Sequence, residues 1–288
     1  MGELVKMASI TVHCVVKNEE KWVWYALNSV IDIAQKVLIF DTGSTDKTVE
    51  IIKKIRSKKI VFEQKGEVDA KSLVNLRKIQ FERTKTSWFL ILDGDEIWPR
   101  KTKKELIQKL KNAKDKDWGV VVRAYNFVGD IYHVHPESIN YHWPFAPKNY
   151  IGWANLRVLK TSIPGLGIAG EYPLEYYYDK TGSPIQNYGS KHLMFLKNRY
   201  LHTTYLMRSE NRTKDRESLN RAKKAKLELG IKLPKNFDYP KILFDKRQPI
   251  TISSIWKKRS LAETSLAAVQ TPFKETRRRL LKLYFPKG

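Results

Sequence analysis

The chain has 288 residues, a formal net charge of +24 and a hydrophobic fraction of 42%. That fraction is enough for a buried core and excludes a wholly disordered chain. A single cysteine excludes an intrachain disulfide, and the absence of a run of about 20 apolar residues or a secretory leader predicts a cytoplasmic protein. The charge indicates an anionic partner, such as nucleic acid, anionic lipid or an acidic glycan.

Strand-like and helix-like segments alternate over the first 125 residues. Short apolar runs predict strands at residues 10–16, 36–40, 60–63, 88–92 and from 120 onward. Apolar residues at helical spacing predict helices at residues 19–34, 48–55 and 70–83. Thr102 and Glu105 are interpreted as a capping box that opens a further, basic helix. This alternation predicts an α/β fold with a mostly parallel central sheet flanked by helices, and such sheets bind ligands at the carboxyl ends of their strands.

The remainder of the chain is less regular. Residues 130–152 and 165–189 are predicted to be loops, and residues 205–230 a long charged helix. From Ser260 the sequence predicts a basic helical tail. This tail combines four basic residues with five large apolar ones, namely Arg277, Arg278, Arg279 and Lys282 with Leu280, Leu281, Leu283, Tyr284 and Phe285.

Carboxylates cluster directly after the apolar strand at residues 88–92, as Asp93, Asp95 and Glu96. Buried carboxylates are costly unless a cation pairs with them, and Mg²⁺ or Mn²⁺ bridges such groups to substrate phosphates. The sequence contains no glycine-rich phosphate loop, so a metal ion would take over that role. The alternative interpretation is a polar turn that caps the next helix.

Other segments accompany these carboxylates in a specific order. Val16-Lys17-Asn18-Glu19 follows the first predicted strand, Asp41-Thr42-Gly43 follows the second, and Arg77 lies 16 residues before Asp93. This arrangement resembles the family 2 glycosyltransferases, which are inverting enzymes of the GT-A fold, and in particular the bacterial enzymes that build lipopolysaccharide core and other glycans. The resemblance is specific over residues 9–98 and moderate over residues 150–225.

The resemblance implies an organisation into two parts. A GT-A catalytic domain would span residues 1–230, with a nucleotide-sugar half at about 9–125 and an acceptor half at about 126–230. A basic C-terminal connector and helical tail would follow at residues 231–288.

The resemblance also implies a set of donor-binding residues, which are Val16, Asn18, Glu19, Asp41, Arg77, Asp93 and Gly94. Residues 16–19 would lie against the base, and Asp41 would hold the uracil or the ribose. Arg77 would approach the base or the diphosphate, Asp93 would contact the ribose and the sugar, and Asp95 would ligate Mn²⁺ or Mg²⁺.

The second predicted strand departs from the family pattern at one position. Many members carry two successive acids there, whereas this chain has Thr42 after Asp41, so the base that is read stays open. Asp46 is interpreted as a helix cap, and Glu20 as an exposed residue in the first turn of a helix.

Inverting transfer requires a carboxylate that takes the proton from the acceptor hydroxyl. Glu171 lies where related enzymes carry a His-Glu pair, although Gly170 replaces the histidine here. Glu171 is therefore the first candidate for the catalytic base, and a solvated loop carboxylate is the alternative. Rival candidates for the base are Asp130, Glu137, Glu175 and Asp179.

His202 is the second site residue that the later part of the chain supplies. The segment Tyr200-Leu201-His202-Thr203-Thr204-Tyr205 resembles the family's His-x-x-Tyr segment, in which the histidine can complete the metal site. Imidazole is an acceptable Mn²⁺ ligand beside carboxylate oxygens. The alternative is a buried histidine that is simply hydrogen-bonded.

The sequence thus predicts a metal-dependent glycosyltransferase that moves a sugar from a nucleotide donor, UDP-linked in our interpretation, to a hydroxyl of a glycan or lipid-linked acceptor. The basic tail predicts either peripheral contact with the anionic inner face of a membrane or docking on the catalytic domain. One rival function is a nucleic-acid- or polyanion-binding protein, but the chain has no recognised nucleic-acid-binding motif. Another is a catalytically inactive sugar-binding module of the same fold, and a nucleotidyltransferase is the third.

Overall fold

The computed structural model of the protein describes residues 9–136, 146–147, 150–216 and 227–284. Its centre is a parallel sheet with the strand order β3-β2-β1-β4. These strands are β1 (Ile10–Val16), β2 (Lys36–Asp41), β3 (Ile60–Gln64) and β4 (Trp88–Asp93). The helices that connect them are α1 (Val23–Val30), α2 (Thr48–Lys53) and α3 (Ala70–Glu82). The inner strands are apolar along almost their whole length because helices cover both faces of such a sheet.

The strand order places a switch point beside β1. The chain runs from β1 through β2 to β3 on one side, and β4 then pairs with β1 on the other side. The register sets Val15 of β1 opposite Asp93 of β4, so the carboxyl ends of both strands lie side by side. Open α/β sheets bind ligands in the crevice at such a switch point.

The second half of the chain extends this sheet with antiparallel strands and returns one strand to the site. It contains β5 (Glu96–Ile97), α4 (Arg100–Lys111), β6 (Gly119–Val128), β7 (Asp130–Val134), β8 (Ala154–Lys160), β11 (Leu193–His202) and β12 (Ile231–Lys232). β8 pairs with β4 and β6, whereas β11 runs parallel to β6 and antiparallel to β5. The last residue of β11, His202, therefore stands opposite Glu96, close to the end of β4.

The remaining described elements are peripheral. A separate hairpin is formed by β9 (Gly167–Ala169) and β10 (Tyr176–Tyr178). The short helix α5 (Arg212–Arg216) follows β11, and the long helix α6 (Leu261–Tyr284) ends the described chain. Short 3₁₀ helices occupy Ile185–Lys191 and Lys241–Phe244. Within the described ranges, no helix combines the length and apolar content needed to cross a membrane.

The predicted α/β fold, with its flanking helices and its helical C-terminal extension, is confirmed. The predicted helix over residues 205–230 is wrong at both ends, because the described helix covers only Arg212–Arg216. Residues 217–226 of this prediction lie outside the described part of the chain. The reason is that residues 205–211 use their backbone to contact the β1–α1 loop instead, as with the Arg208 carbonyl, which accepts from the Lys21 N–H at 2.9 Å.

The predicted capping box is also wrong, because α4 begins at Arg100 after Pro99. The Thr102 hydroxyl donates to the Arg199 carbonyl at 2.6 Å. The Glu105 carboxylate accepts from the backbone N–H groups of Lys197 and Asn198 at 2.7 and 2.9 Å. Both side chains therefore fasten β11, the strand that carries His202, to α4.

Candidate functional site

A cleft with a volume of about 110 Å³ opens at the switch point between β1 and β4. Its walls come from the carboxyl ends of these strands, from α3 and from the segment after β11. The lining residues are Val15, Val16, Lys17, Glu19, Thr42, Val68, Leu73, Arg77, Asp93, Gly94, Asp95, Tyr172, His202, Thr204 and Arg208. Seven of the nine residues that the sequence predicted as donor or metal ligands line this cleft, and Asn18 and Asp41 do not. Arg77 reaches it from α3, and His202 is brought there by β11.

Asp93, Asp95 and His202 form a compact group of potential metal ligands. One ligand atom from each lies within 4.8 Å of the others. The His202 Nε2 atom lies 3.4 Å from Asp95 Oδ1. The backbone supports this pairing, since the Thr203 N–H donates to the Asp95 carbonyl at 3.0 Å. A group of two carboxylates and an imidazole suits Mn²⁺ or Mg²⁺, so the residues present fit the predicted metal.

Gly94 lets the turn between the two aspartates approach the end of β1. A Cβ atom at this position would lie 2.8 Å from Cγ of Glu19 and 3.0 Å from Cγ1 of Val16. Any larger residue would therefore push the turn away from β1. Gly94 thus has a packing role that brings Asp93 and Asp95 to the cleft wall.

Asp93 stands between two buried arginines. The Arg157 Nη2 atom donates to Asp93 Oδ2 at 2.9 Å, and the Arg77 Nη2 atom lies 3.5 Å from Oδ1. Burial opposes ionisation of Asp93, but the guanidinium groups of Arg157 and Arg77 outweigh it and lower its pKa to about 2. Asp93 is therefore a carboxylate at neutral pH, with its position set by Arg157 on β8.

Arg157 also bonds to Glu96, the third carboxylate of the cluster. Glu96 is fully buried, and the guanidinium of Arg157 lies 5.7 Å from the centre of the Tyr200 ring. Burial opposes the charge of Arg157, but the neighbouring Glu96 raises its pKa well above the usual value. Glu96 thus belongs to the support of the site rather than to the cleft surface.

Arg208 is a cleft residue that sequence reasoning missed. Its guanidinium bonds to Glu19 and lies 3.5 Å from Asp95 Oδ2. Burial opposes its charge, but Glu19 and Asp95 raise its pKa above the usual value. The residue occurs in a region predicted as helix, and no motif marks it.

The β1–α1 loop binds the turn that follows β2. Asn18 has a positive φ of 52°, and its Oδ1 atom accepts from the Thr45 N–H at 2.8 Å, while its Nδ2 atom donates to the Lys214 carbonyl at 2.7 Å. Asn18 is therefore turned away from the cleft lining and holds the surrounding loops together. Lys214 adds a second contact, because its Nζ atom donates to the Thr45 carbonyl at 2.6 Å.

Asp41 shapes the turn at the end of β2. Its Oδ2 atom accepts from the N–H groups of Gly43 and Ser44 at 3.2 and 3.1 Å. Among the described residues, its buried Oδ1 atom has no hydrogen-bond partner. Thr42, not Asp41, lines the cleft. The contact of Asp41 with a nucleotide stays a prediction.

The N-cap of α2 is Lys47 and not Asp46, but Asp46 still binds the first turn of the helix, because its Oδ1 atom accepts from the Thr48 N–H at 2.9 Å. The exposed position predicted for Glu20 is wrong. Glu20 is buried, and its carboxylate accepts from the Ser209 hydroxyl and the Glu210 N–H, both at 2.7 Å. Because α1 begins only at Val23, Glu20 lies in the loop that receives the segment after β11.

Glu171 is exposed and does not line the cleft, although its neighbour Tyr172 does. Of the rival carboxylates, Asp130 bonds to Tyr132 and His133, and Asp179 accepts from residues of its own turn, so both hold local structure. Glu137 lies outside the described residues. Glu175 has a buried Oε2 atom without a hydrogen-bond partner in the described part, and its charge acts on Arg77.

Comparison with known proteins gives three findings. A family model described as glycosyl transferase family 2 matches residues 11–163. Uncharacterized glycosyltransferases of Rickettsia typhi and Rickettsia bellii are 36% identical over 90 residues and 34% identical over 108 residues. These alignments cover 31% and 37% of this chain but 29% and 34% of those proteins, so the chain spans about a third of the length of the curated relatives it matches. The structure of S. aureus TarS 1–349 in complex with UDP-GlcNAc has a TM-score of 0.46 at 15% identity, over 68% of this chain and 58% of that one.

Proposed function

We propose that this chain, which belongs to glycosyl transferase family 2 and has the GT-A fold, transfers a sugar from a nucleotide-sugar donor to a hydroxyl acceptor with the help of a divalent metal ion. The observation that carries the proposal is the cluster of Asp93, Asp95 and His202 inside a cleft that also contains Arg77 and Arg208. A metal-bound diphosphate requires anionic ligands for the metal, positive side chains for the phosphates and a cleft at the switch point, and this site combines all three.

The donor would lie along the ends of β1 and β4. Its diphosphate carries negative charge, and Arg208 and Lys17 line the wall nearest to Glu19. Arg77 reaches the cleft from α3 and is held in place by Asp93. We assign the base and ribose to Val16, Lys17 and Glu19, with Asn18 holding their loop in place, and to Asp41, whose Oδ1 atom has no hydrogen-bond partner within the described ranges. A UDP-linked sugar is the donor that we favour, on the family resemblance.

Asp95 and His202 would hold the metal ion, since their ligand atoms lie 3.4 Å apart and Asp93 is already bonded to two arginines. When bound, Mn²⁺ or Mg²⁺ would neutralise charge that develops on the departing diphosphate. Arg208 would add a second positive charge on the same group. Its present partners, Glu19 and Asp95, keep the guanidinium at the cleft before the donor enters.

Glu171 remains our candidate for the base that takes the proton from the acceptor hydroxyl. Its exposed carboxylate is open to an acceptor, and the adjacent Tyr172 lines the cleft. Glu175 is the rival, because its charge acts on Arg77. We assign the acceptor side to residues 126–230, and a glycan or a lipid-linked glycan is the acceptor class that we propose.

A thermal-shift screen of nucleotide sugars, with and without Mn²⁺, tests this function. A ligand that binds only the native state raises the melting temperature, by about 5 °C when its concentration is about 100 times its Kd. We expect a UDP-sugar to produce this shift with Mn²⁺ and not with EDTA, and to release UDP when an acceptor is added. Equal shifts with and without metal, or no shift with any nucleotide sugar, would contradict the proposal.

A further inference from the structure

Helix α6 packs on the domain through small and polar side chains. Ala267 is fully buried, the Thr271 hydroxyl oxygen accepts from the Leu229 N–H at 2.9 Å, and Lys274 Nζ donates to the Leu227 carbonyl at 3.2 Å. These three helical residues follow one another at spacings of four and three, so they share one face of the helix. Over residues 261–277, the part of α6 whose side chains are described, the docked face therefore contains few large apolar groups.

Three large apolar side chains in this part of α6 point the other way. Leu266, Val269 and Phe273 are 49%, 62% and 74% exposed. Their spacing of three and four residues places them in one row, which we call the apolar stripe. An amphipathic helix normally turns such a row toward the core of its own domain, whereas α6 presents it to the surroundings. The stripe thus needs another partner.

Charge decides between the candidate partners of the apolar stripe. Residues 201–288 contain 22 lysines and arginines against 8 acidic residues, and three consecutive arginines, Arg277 to Arg279, begin one helical turn after Phe273. A second copy of this chain would bring two strongly positive surfaces together, which is unfavourable. An anionic lipid surface would attract the same residues while its acyl boundary receives the stripe.

We propose that the apolar stripe of α6 inserts into the interface of an anionic membrane, with the exposed Arg277, which follows Phe273 by one helical turn, at the level of the headgroups. The docked face would stay on the protein, so the catalytic domain would be held close to the membrane surface. This inference adds to the proposed function, since a lipid-linked acceptor lies at that surface. The binding itself requires neither donor nor metal.

Sedimentation of the full-length protein with vesicles tests the proposal. The vesicles are made of phosphatidylcholine, with and without phosphatidylglycerol. We expect binding only to vesicles that contain phosphatidylglycerol, and a roughly tenfold loss of affinity for Leu266→Gln and for Phe273→Gln, because each removes apolar area that would be buried in the interface. Glutamine is a good helix former, so α6 should persist in both variants.

Ala268→Gln is the matched control, since Ala268 is exposed on the same helix and lies off the stripe. It should bind vesicles as the unmodified protein does. Wild-type-like binding of the Leu266 and Phe273 variants would overturn the proposal, as would failure of the unmodified protein to bind vesicles. If the unmodified protein self-associates and both stripe variants abolish this self-association, the stripe binds a second copy of the chain and the proposal is wrong. Donor binding is followed separately by thermal shift, so failure of either proposal is recognised independently.

Discussion

Replacement of Asp95 by asparagine is the sharpest test of the candidate metal site. The substitution keeps the shape of the side chain but removes its charge. Asp95 is almost fully buried, with one carboxylate oxygen 3.4 Å from His202 and the other 3.5 Å from Arg208. A neutral amide is a poor ligand for a hard cation, so the variant should bind Mn²⁺ much more weakly.

The expected loss of activity follows from what the metal supplies. Lewis-acid stabilisation of a departing phosphate is worth several kcal/mol, and about 4 kcal/mol corresponds to a decrease of roughly 1,000-fold in kcat/KM. The loss of fold stability should be smaller. Removing one member of a buried ion pair costs about 3–5 kcal/mol, but Arg208 keeps Glu19 as a second partner, so we expect about 1–2 kcal/mol.

Two measurements separate these effects. UDP release at varied Mn²⁺ concentration gives the activity, and calorimetric titration with Mn²⁺ gives metal affinity without turnover. Glu228→Gln is the matched control, because Glu228 is equally buried and its carboxylate lies 3.3 Å from His135, among residues that do not line the cleft. It should lose stability but keep Mn²⁺ affinity. The reasoning is refuted if Asp95→Asn binds Mn²⁺ and turns over donor nearly as well as the unmodified protein.

Three further predictions concern neighbouring residues. Arg208→Lys keeps the positive charge but loses the planar guanidinium that can bind two oxygens at once. It should raise the KM for the nucleotide sugar by about tenfold and leave Mn²⁺ affinity unchanged. An unchanged KM in steady-state kinetics would exclude a contact between Arg208 and the diphosphate. Glu171→Gln should lower kcat at least about 100-fold and leave donor binding intact. If only Glu175→Gln lowers kcat, Glu175 is the catalytic base instead. The ionised form of Asp93 stabilises the fold above its unfolded pKa of 3.8, and this contribution is lost as the pH falls through its folded pKa of about 2. Because the Asp93 side chain is 36% exposed, we expect this contribution to be about 1 kcal/mol. Urea unfolding should show it as a difference in the free energy of unfolding between the unmodified protein and Asp93→Asn. That difference should be largest above pH 3.8 and disappear near pH 2. A difference that does not change with pH would contradict this assignment.

The parallel half of the fold follows closely from local sequence. Strand predictions for residues 10–16, 36–40, 60–63 and 88–92 agree with β1 to β4 within a residue or so. The reason is that continuous apolar runs between amphipathic helices have few other stable arrangements. Local patterns were less informative after residue 125, where short strands, loops and a small hairpin replace regular alternation.

Side-chain environments were harder to anticipate than elements. Glu20 was expected in solvent, yet the segment after β11 folds over it and donates two hydrogen bonds. Thr102 and Glu105 match the composition of a capping box, but they bond to β11 instead. In each case the hydrogen-bond partner lies on a strand or loop more than 90 positions away along the chain. The local sequence pattern therefore does not predict the interaction.

The sequence by itself determined that carboxylates follow β4 and that the β1 loop stands beside them, because a buried parallel strand must deliver its next residues to the carboxyl edge of the sheet. Only the tertiary structure decided which distant side chains complete the site. The pairing of β11 with β5 brings His202 to Asp95, and the pairing of β8 with β4 brings Arg157 to Asp93. The segment after β11 brings Arg208 to Glu19 and Asp95. Strand register over such separations depends on how the whole sheet packs, and therefore no local motif encodes it.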